Sequence, residues 1–254
     1  MTVLLEGDHL TKQYGGVAAV QDVSFQISSG ELVGLIGPNG AGKTTLFNTV
    51  SGFTPPTSGS VRWKGEDITK VPAPRRVERG MVRTFQQARV FRSLSIRDNL
   101  RIACHTAATS SFAGDLVAAG RSRRADALID ERVDQLIDVF QLGSIASVRG
   151  DVLSYGQAKR LGLVMGAASE PELLMLDEPA AGLNNVEITE LRVDLERLRD
   201  AGITIWLVEH HMGLVMGVSD RVMVLEAGQK IADDTPAVIS EDQRVIDAYL
   251  GATE

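Results

Sequence analysis

The chain has 254 residues, enough to bury a substantial core as one large domain or as a core with an inserted subdomain. Its net charge of −7 argues against a sequence-independent nucleic-acid binder, which needs a basic face, so we expect no nucleic-acid partner. The single cysteine, Cys104, excludes an intramolecular disulfide, and its small apolar neighbourhood predicts a buried structural thiol.

The sequence also argues against direct insertion into a membrane. Residues 1–8 lack the basic start and apolar core of a secretory signal. No uninterrupted apolar run reaches the roughly 18 residues that a membrane-spanning helix needs. We therefore expect a cytoplasmic protein that would be peripheral on the cytoplasmic face of the cell membrane only through partner subunits.

The first strongly patterned stretch combines a strand, a glycine-rich loop and a helix. Residues 3–36 are predicted to form strands and turns, ending in the apolar strand Glu31–Ile36. A helix-like run follows from Leu46 to Val50. Between them lies a loop of the pattern G-x-x-x-x-G-K-[ST], made of Gly37, Pro38, Asn39, Gly40, Ala41, Gly42, Lys43, Thr44 and Thr45.

This loop predicts a binding site for a nucleoside triphosphate. Glycines let successive N–H groups point inward at a helix N-terminus, which forms a concave anion site. Lys43 would place its charge on the β- and γ-phosphates, and Thr44 would offer its hydroxyl to Mg²⁺. The alternative is a glycine-rich turn that binds nothing, which the spacing and the flanking strand and helix disfavour.

The middle of the chain is predicted to be helical. Before it we expect a strand over Ser60–Ile68 with a turn at 64–65, a short helix over Pro72–Arg79 and a strand over Met81–Phe85. Helical periodicity covers residues 95–107 and 121–142, with one apolar face made of Ile129, Val133, Leu136, Ile137 and Phe140. Residues 109–120, rich in Ser, Ala and Gly, are predicted to be a loop or a frayed segment.

Strands and helices alternate again after this helical insert. The predicted elements are a strand over Glu172–Glu178, a helix over Val186–Arg199, a strand over Thr204–Val208, a hairpin of Arg221–Leu225 and Lys230–Asp233, and a helix over Gln243–Leu250. Such alternation predicts an α/β protein with a mostly parallel sheet. We divide it into residues 1–87, the first half of the core; 88–168, a helical subdomain; 169–235, the second half; and 236–254, a helical tail.

The acidic pair Asp177-Glu178 ends the apolar strand that begins at Glu172. Phosphoryl transfer to water needs charge neutralisation and an oriented nucleophile. Asp177 would hold Mg²⁺, and Glu178 would polarise the attacking water as general base. A turn cap is the alternative, which the phosphate loop upstream disfavours.

The segment Leu153-Ser154-Tyr155-Gly156-Gln157 precedes that strand and resembles the signature motif Leu-Ser-Gly-Gly-Gln of ATP-binding-cassette (ABC) ATPases. A serine hydroxyl and glycine N–H groups at a helix start make a second anion site. One chain needs only one phosphate cradle, so a second implies service to a nucleotide held by another subunit. The alternative is an ordinary N-cap in which Ser154 caps Gln157.

Five spaced motifs in the expected order extend this resemblance over essentially the whole chain. It implies a P-loop NTPase core of the RecA-like type, with an N-terminal antiparallel β region and an inserted α-helical subdomain. It also implies binding and hydrolysis of ATP with Mg²⁺. The nucleotide-contacting residues would be Tyr14, residues Gly37 to Thr45, Ser154, Gly156 and Gln157.

Further roles follow from the resemblance by position. Tyr14 looks like the aromatic residue that stacks on adenine, Gln86 like the glutamine that senses metal and γ-phosphate, and His210 like the switch histidine. The resemblance thus implies that Glu178, His210 and Gln86 are catalytic and that Thr44, Gln86 and Asp177 bind the metal.

The doublet His210-His211 leaves two assignments. We assign the switch to His210, which directly follows the strand and Glu209. A metal site made by both histidines is disfavoured, because adjacent residues on a strand face opposite ways.

Two positions depart from the general cassette pattern. Tyr155 replaces the first glycine of the signature, so that position cannot require a residue without a side chain. Asn184, in the loop 180–184 that communicates between paired subunits, stands where many cassettes carry aspartate, which weakens a charge-based role there.

Several segments narrow the resemblance to the ATPases of branched-chain amino acid importers: residues 83–86, 90–91, 153–157, 177–184, 215–221 and 245–251. The implied partners are a second ABC ATPase subunit, a paralogue or a second copy, in an ATP-sandwich dimer; two transmembrane permease subunits, docked near Gln86–Leu100; and indirectly a substrate-binding protein. Alternatives are an importer for urea or short amides, a lipopolysaccharide-type exporter, a cassette that remodels DNA or ribosomes, and a nucleotide-dependent module that does not hydrolyse.

Overall fold

The computed structural model describes residues 2–84, 90–111 and 119–250. The strands are β1 (Val3–Tyr14), β2 (Val17–Ser28), β3 (Leu32–Ile36), β4 (Ser58–Trp63), β5 (Glu66–Asp67), β6 (Met81–Arg83), β7 (Leu173–Asp177), β8 (Thr204–Val208), β9 (Arg221–Glu226) and β10 (Gln229–Asp234). The helices are α1 (Lys43–Val50), α2 (Ala73–Val77), α3 (Ile96–Ser111), α4 (Ala119–Val139), α5 (Tyr155–Ala168), α6 (Asn185–Asp200), α7 (Met212–Val218), α8 (Pro236–Glu241) and α9 (Gln243–Leu250), with a 3₁₀ turn over Gly143–Ile145.

The larger sheet has the strand order β10-β9-β3-β8-β7-β6 and is parallel except for the β9–β10 hairpin. Every residue of β3, β7 and β8 is buried, which explains why these strands are continuous apolar runs in the sequence. The carboxyl ends of parallel strands lie at one edge of a sheet, so the loops after β3, β7 and β8 meet there. This sheet confirms the predicted mostly parallel α/β core.

A second, antiparallel sheet has the order β2-β1-β4-β5. It packs on the larger sheet through a shared apolar core that also contains α1. Trp206 of β8 lies at its centre, with ring centroids 5.1 Å from Phe25 and 5.3 Å from Phe47. The N-terminal antiparallel region is thereby confirmed.

Between β6 and β7, the described residues form the helices α3, α4 and α5, which pack on one another. The predicted apolar face of α4 is buried, although Phe140 lies just beyond the last helical residue. Cys104 is buried as predicted, and burial raises the pKa of its thiol. The division into four segments at residues 87, 168 and 235 stays a prediction.

Several boundaries differ from those predicted. Of the two alternatives for residues 109–120, a loop is wrong at both ends, because α3 continues to Ser111 and α4 begins at Ala119. Residues 112–118 lie outside the described residues. Alanine favours a helix, so a Ser- and Ala-rich composition is a poor sign of a break. The short helices α7 and α8 were not predicted. Within the described ranges, no helix is both long and apolar enough to cross a membrane.

Candidate nucleotide-binding and hydrolysis site

The loop from Gly37 to Gly42 connects β3 to α1 at the carboxyl edge of the larger sheet. Gly37 has a φ of 148°, and a Cβ there would lie 2.1 Å from the carbonyl oxygen of Leu225. Gly42 has a φ of 99°, and a Cβ there would lie 2.2 Å from the carbonyl oxygen of Ala19. Both positions therefore require glycine, for backbone conformation and for space.

Lys43 begins α1 and is buried. Its ammonium donates to the carbonyl oxygens of Gly37, at 2.7 Å, and of Pro38, at 2.9 Å, so the lysine folds back over its own loop. Burial lowers the pKa of Lys43, and the charge of Glu178 acts in the opposite direction. A phosphate group at this loop would offer the ammonium a stronger, charged acceptor than two carbonyl groups.

Asp177 ends β7, and its buried side chain forms an ion pair with Arg83. Its Oδ2 accepts a hydrogen bond from Arg83 at 2.7 Å, whereas its buried Oδ1 has no partner among the described residues. A buried carboxylate oxygen with a free lone pair fits a hard divalent cation such as Mg²⁺. The hydroxyl of Thr44, exposed in the first turn of α1, is an oxygen ligand of the same type. These two residues could hold the metal.

Glu178 follows Asp177 in left-handed backbone, with a φ of 49°. Its Oε1 lies 2.6 Å from Nε2 of His210, and the N–H of Glu178 donates to the carbonyl of Val208 at 2.9 Å. The ends of β7 and β8 thus bring a carboxylate and an imidazole into hydrogen-bond contact. Such a carboxylate can accept a proton from a water molecule that approaches it from the phosphate loop.

The two adjacent histidines have different environments. His210 contacts Glu178, whereas His211 is the N-cap of α7, where its Nδ1 accepts from the N–H of Leu214 at 3.0 Å. His210, and not His211, is therefore the histidine that contacts Glu178, and His211 has a local structural explanation as a helix cap.

Ser154, Gly156 and Gln157 lie at the start of α5. The Oγ of Ser154 accepts from the N–H of Gln157 at 3.2 Å, and Oε1 of Gln157 accepts from the N–H of Ser154 at 3.0 Å. This capping box is the alternative interpretation of the motif, and it is present. Gly156 is buried, and a Cβ there would lie 2.2 Å from Oε1 of Glu187 in α6. Both hydrogen bonds join Ser154 to Gln157, and neither involves a residue of the phosphate loop.

Tyr14 is the last residue of β1, at the turn into β2, and is 51% exposed. The ammonium of Lys12 lies 5.1 Å from the centroid of its ring. The same hairpin carries Ala19, whose carbonyl is next to Gly42. The Tyr14 ring is exposed on a hairpin that packs against the phosphate loop, so it is available for stacking on a base. Gln86 lies outside the described residues.

Comparison with known proteins decides the family. Residues 20–181 match the protein family described as "ABC transporter". The chain belongs to the ABC transporter family. Residues 229–254 match a second family, described as "Branched-chain amino acid ATP-binding cassette transporter".

Curated relatives of this ABC ATPase match over nearly their whole length. The high-affinity branched-chain amino acid transport ATP-binding proteins BraF of Pseudomonas aeruginosa and LivG of Escherichia coli are each 39% identical, over 98% of both chains. The lipopolysaccharide export system ATP-binding protein LptB of Escherichia coli is 35% identical, over 97% of both chains. The chain is therefore an ABC transporter ATPase, and it is similar to ATP-binding proteins of branched-chain amino acid transporters.

A solved structure agrees with the fold of this ABC ATPase. It is described as the ADP conformation of an ATP-binding cassette of an ABC transporter. It is 25% identical, covers 99% of this chain and 100% of its own, and superposes with a TM-score of 0.82. This match supports nucleotide binding as well as the α/β architecture.

Two residues of the ABC ATPase site were not predicted from the sequence. Arg83 connects Asp177 to α1, donating to Oδ1 of Asn48 at 2.6 Å while its guanidinium lies 4.7 Å from the centroid of the Phe47 ring. The buried carboxylate of Glu209 accepts from the N–H groups of Ala180 and His210. The position of Glu209 directly after β8 was the available signal, because the carboxyl ends of parallel strands carry sites.

Asn184 gains a structural explanation in this cassette. Its Oδ1 accepts from the N–H groups of Val186, at 2.9 Å, and Glu187, at 3.1 Å, so it is the N-cap of α6. Asparagine and aspartate cap helices about equally well. The departure at this position therefore keeps the cap while removing a negative charge.

Proposed function

We propose that this ABC ATPase is the ATP-binding and ATP-hydrolysing subunit of an importer for branched-chain amino acids. The contact of 2.6 Å between Glu178 and His210, next to the Gly37–Thr45 loop, carries the hydrolytic part of the proposal. The match of residues 229–254 and the 39% identity to BraF and LivG support the choice of transported substrate.

The proposed chemistry assigns one task to each group. Lys43 binds the β- and γ-phosphates, and Thr44 and Asp177 hold Mg²⁺, which when bound neutralises charge on those phosphates. Glu178 accepts a proton from the attacking water, and His210 holds the carboxylate of Glu178 and contacts the γ-phosphate. Gln86 is proposed as a further ligand and sensor of the metal. Tyr14 stacks on the adenine.

The proposed working unit is a pair of ATPase subunits with two ATP molecules between them. Each ATP is held by the phosphate loop of one subunit and by Ser154, Gly156 and Gln157 of the other. A ligand drives a switch only through its difference in affinity for the two states, and a γ-phosphate that bridges both subunits supplies that difference. The second subunit is a paralogue or a second copy of this chain.

Transport also requires partners in the membrane, and we place their dock near Gln86–Leu100. Within the described part of this segment, Phe91 is 48% exposed. The buried side chain of Asn99 shapes the turn that presents it, accepting from the N–H of Phe91 at 2.7 Å and donating to its carbonyl at 3.1 Å. The partners are two permease subunits and, indirectly, a substrate-binding protein, and they would place the chain at the cytoplasmic membrane face.

We propose that the chain works as the four segments predicted from the sequence. Residues 1–87 and 169–235 form the two halves of the ATP-binding core, residues 88–168 the helical subdomain, and residues 236–254 the tail. The subdomain would carry the signature segment towards the nucleotide of the partner subunit.

A second candidate function is that of a lipopolysaccharide-type exporter, which the 35% identity to LptB favours. The Glu178–His210 chemistry and the paired subunits would be the same, and only the membrane partners and the cargo would differ. An importer for urea or short amides stays an alternative, in which the same ATPase chemistry would serve a different cargo.

Uptake of radiolabelled leucine, isoleucine, valine and urea by the source cells tests the proposal. Glu178→Gln should abolish uptake of the three amino acids and leave urea uptake unchanged. The matched control is Glu172→Gln, because Glu172 lies before the opposite end of β7 and pairs with Lys64. Loss of urea uptake alone would overturn the proposed substrate. Unchanged uptake of all four compounds would overturn the proposal that this ATPase drives their import.

A further inference from the structure

The backbone that follows Glu178 is held by a lysine from another element. Lys159 lies in the second turn of α5 and is half-buried. Its ammonium donates to the carbonyl oxygens of Glu178 at 3.2 Å, of Pro179 at 3.2 Å and of Ala181 at 2.7 Å. An ammonium has three donors and no acceptor, so three converging carbonyl groups satisfy it.

The loop that Lys159 contacts is conformationally demanding. Glu178 has a φ of 49°, in the left-handed region that residues with a Cβ seldom adopt, and Gly182 has a φ of 78°. On the other side, the N–H of Ala180 donates to the buried carboxylate of Glu209. A cation therefore binds the carbonyl groups of the loop and an anion binds one of its N–H groups, and together they fix the backbone from which the Glu178 side chain projects.

Tyr155 contacts the same loop from one turn earlier on α5. Residues four apart lie on one face of a helix, and the ammonium of Lys159 is 5.3 Å from the centroid of the Tyr155 ring. The Tyr155 hydroxyl donates to the carbonyl of Ala181 at 3.4 Å, and a Cβ on Gly182 would lie 3.0 Å from the ring. The residue that replaces a signature glycine thus faces the loop after Glu178 in its own chain.

We propose that Lys159 is a positioning residue for Glu178, holding its strained backbone so that the carboxylate stays aimed at the attacking water. The inference rests on the proposed role of Glu178 as general base. Because Lys159 and the Ser154–Gln157 segment belong to one helix, a shift of α5 against the core is transmitted to the backbone of Glu178. Lys159 thereby connects the segment that serves the partner's nucleotide to the carboxylate that serves its own.

Steady-state ATP hydrolysis by the purified full-length chain, together with titration of a fluorescent ATP analogue, tests this role. Lys159→Met keeps the aliphatic stem and removes the donors. It should lower kcat by about 10- to 100-fold, the usual result of misplacing a catalytic group by about an ångström, while nucleotide affinity stays within about twofold. Lys159→Arg retains a charged donor and should recover part of kcat. Lys64→Met, which removes an exposed lysine paired with Glu172, is the matched control.

Two outcomes would overturn the inference. One is a kcat for Lys159→Met equal to that of Lys64→Met. The other is a parallel fall of kcat, nucleotide affinity and thermal unfolding midpoint without rescue by Lys159→Arg, which would indicate a general structural role. Glu178→Gln separates the inference from its premise: if that variant hydrolyses ATP at the normal rate, the proposed function fails first, whatever Lys159→Met does.

Discussion

The helices α1 and α5 both begin at a segment predicted to bind phosphate, yet their N-termini are built differently. At α1 the N-cap is Gly42, which has left-handed backbone and no side chain to offer as a cap. At α5 the N-cap is Ser154, which forms a reciprocal capping box with Gln157. Helix capping and anion binding use the same N–H groups. The N-terminus of α1 therefore has no capping side chain, whereas at the N-terminus of α5 the N–H of Gln157 already donates to the Ser154 hydroxyl.

The two N-termini also differ in their exposure. Lys43 and Asp177, at the first, are buried, and their polar atoms point into the carboxyl edge of the larger sheet. Ser154 and Tyr155, at the second, are exposed. The first site is assembled from the ends of neighbouring strands, and the second is a surface. This contrast agrees with the proposal that α5 contributes to a nucleotide held by another subunit.

Of the changes at the two N-termini, removing the lysine at the start of α1 should reduce the affinity for ATP most. Lys43→Met should weaken ATP binding by about 10- to 100-fold, since a charge-assisted hydrogen bond contributes about 1.5–3 kcal/mol. Titration of the purified chain with a fluorescent ATP analogue measures the affinity, with Lys64→Met as control. Equal affinities of the two variants would show that α1 does not form the phosphate site.

Removing the cap at the α5 N-terminus should have a smaller and different effect. Ser154→Ala should lower the free energy of unfolding by about 1 kcal/mol, the usual contribution of an N-cap. Affinity of the single chain for ATP should stay within about twofold. Denaturant unfolding and the same ATP titration measure the two quantities, and Ser154→Thr, which keeps a hydroxyl, is the control. A loss of single-chain affinity as large as that of Lys43→Met would contradict the distinction between the two sites.

The elements that position the α1 site could be predicted because their signals are local. Continuous apolar runs gave β7 and β8, a fixed glycine spacing gave the loop, and Asp177-Glu178 follows its strand directly. The contacts that hold these residues could not be predicted. Arg83 and Asp177 are 94 residues apart, and Lys159 reaches carbonyl groups 19 to 22 positions away, so their meeting depends on how α5 and β6 pack.

The short helices were missed for a related reason. The helix α7 has seven residues, two of them glycine, which is too short a run to show helical periodicity. Its start depends on the ring of His211, which caps the helix. From the sequence alone, a histidine with this capping role cannot be distinguished from a second candidate for the switch histidine. Once β8 and α7 are in place, the doublet separates into one residue that faces Glu178 and one that caps a helix.

The smallest expected effect concerns alkaline pH. Burial lowers the pKa of Lys43 below its ordinary value of 10.5, so in the window between the two values the unfolded chain binds more protons than the folded chain. Stability from this group therefore rises with pH through that window, as the cost of burying a charged lysine disappears. Lys43→Met should lack the rise, which denaturant unfolding of both proteins at a series of pH values up to 10.5 would reveal. Parallel pH profiles of the two proteins would contradict it.

We expect ATP held at the α1 N-terminus to be hydrolysed with Glu178 as general base, and phosphate release in a single turnover measures that step. Purified Glu178→Gln should bind a fluorescent ATP analogue as tightly as the unaltered chain and release phosphate about 10²- to 10⁴-fold more slowly, the usual loss on removing a general base. Glu172→Gln should release it at the normal rate. Normal release by Glu178→Gln would show that Glu178 is not the general base and would require a different base at the edge of the sheet.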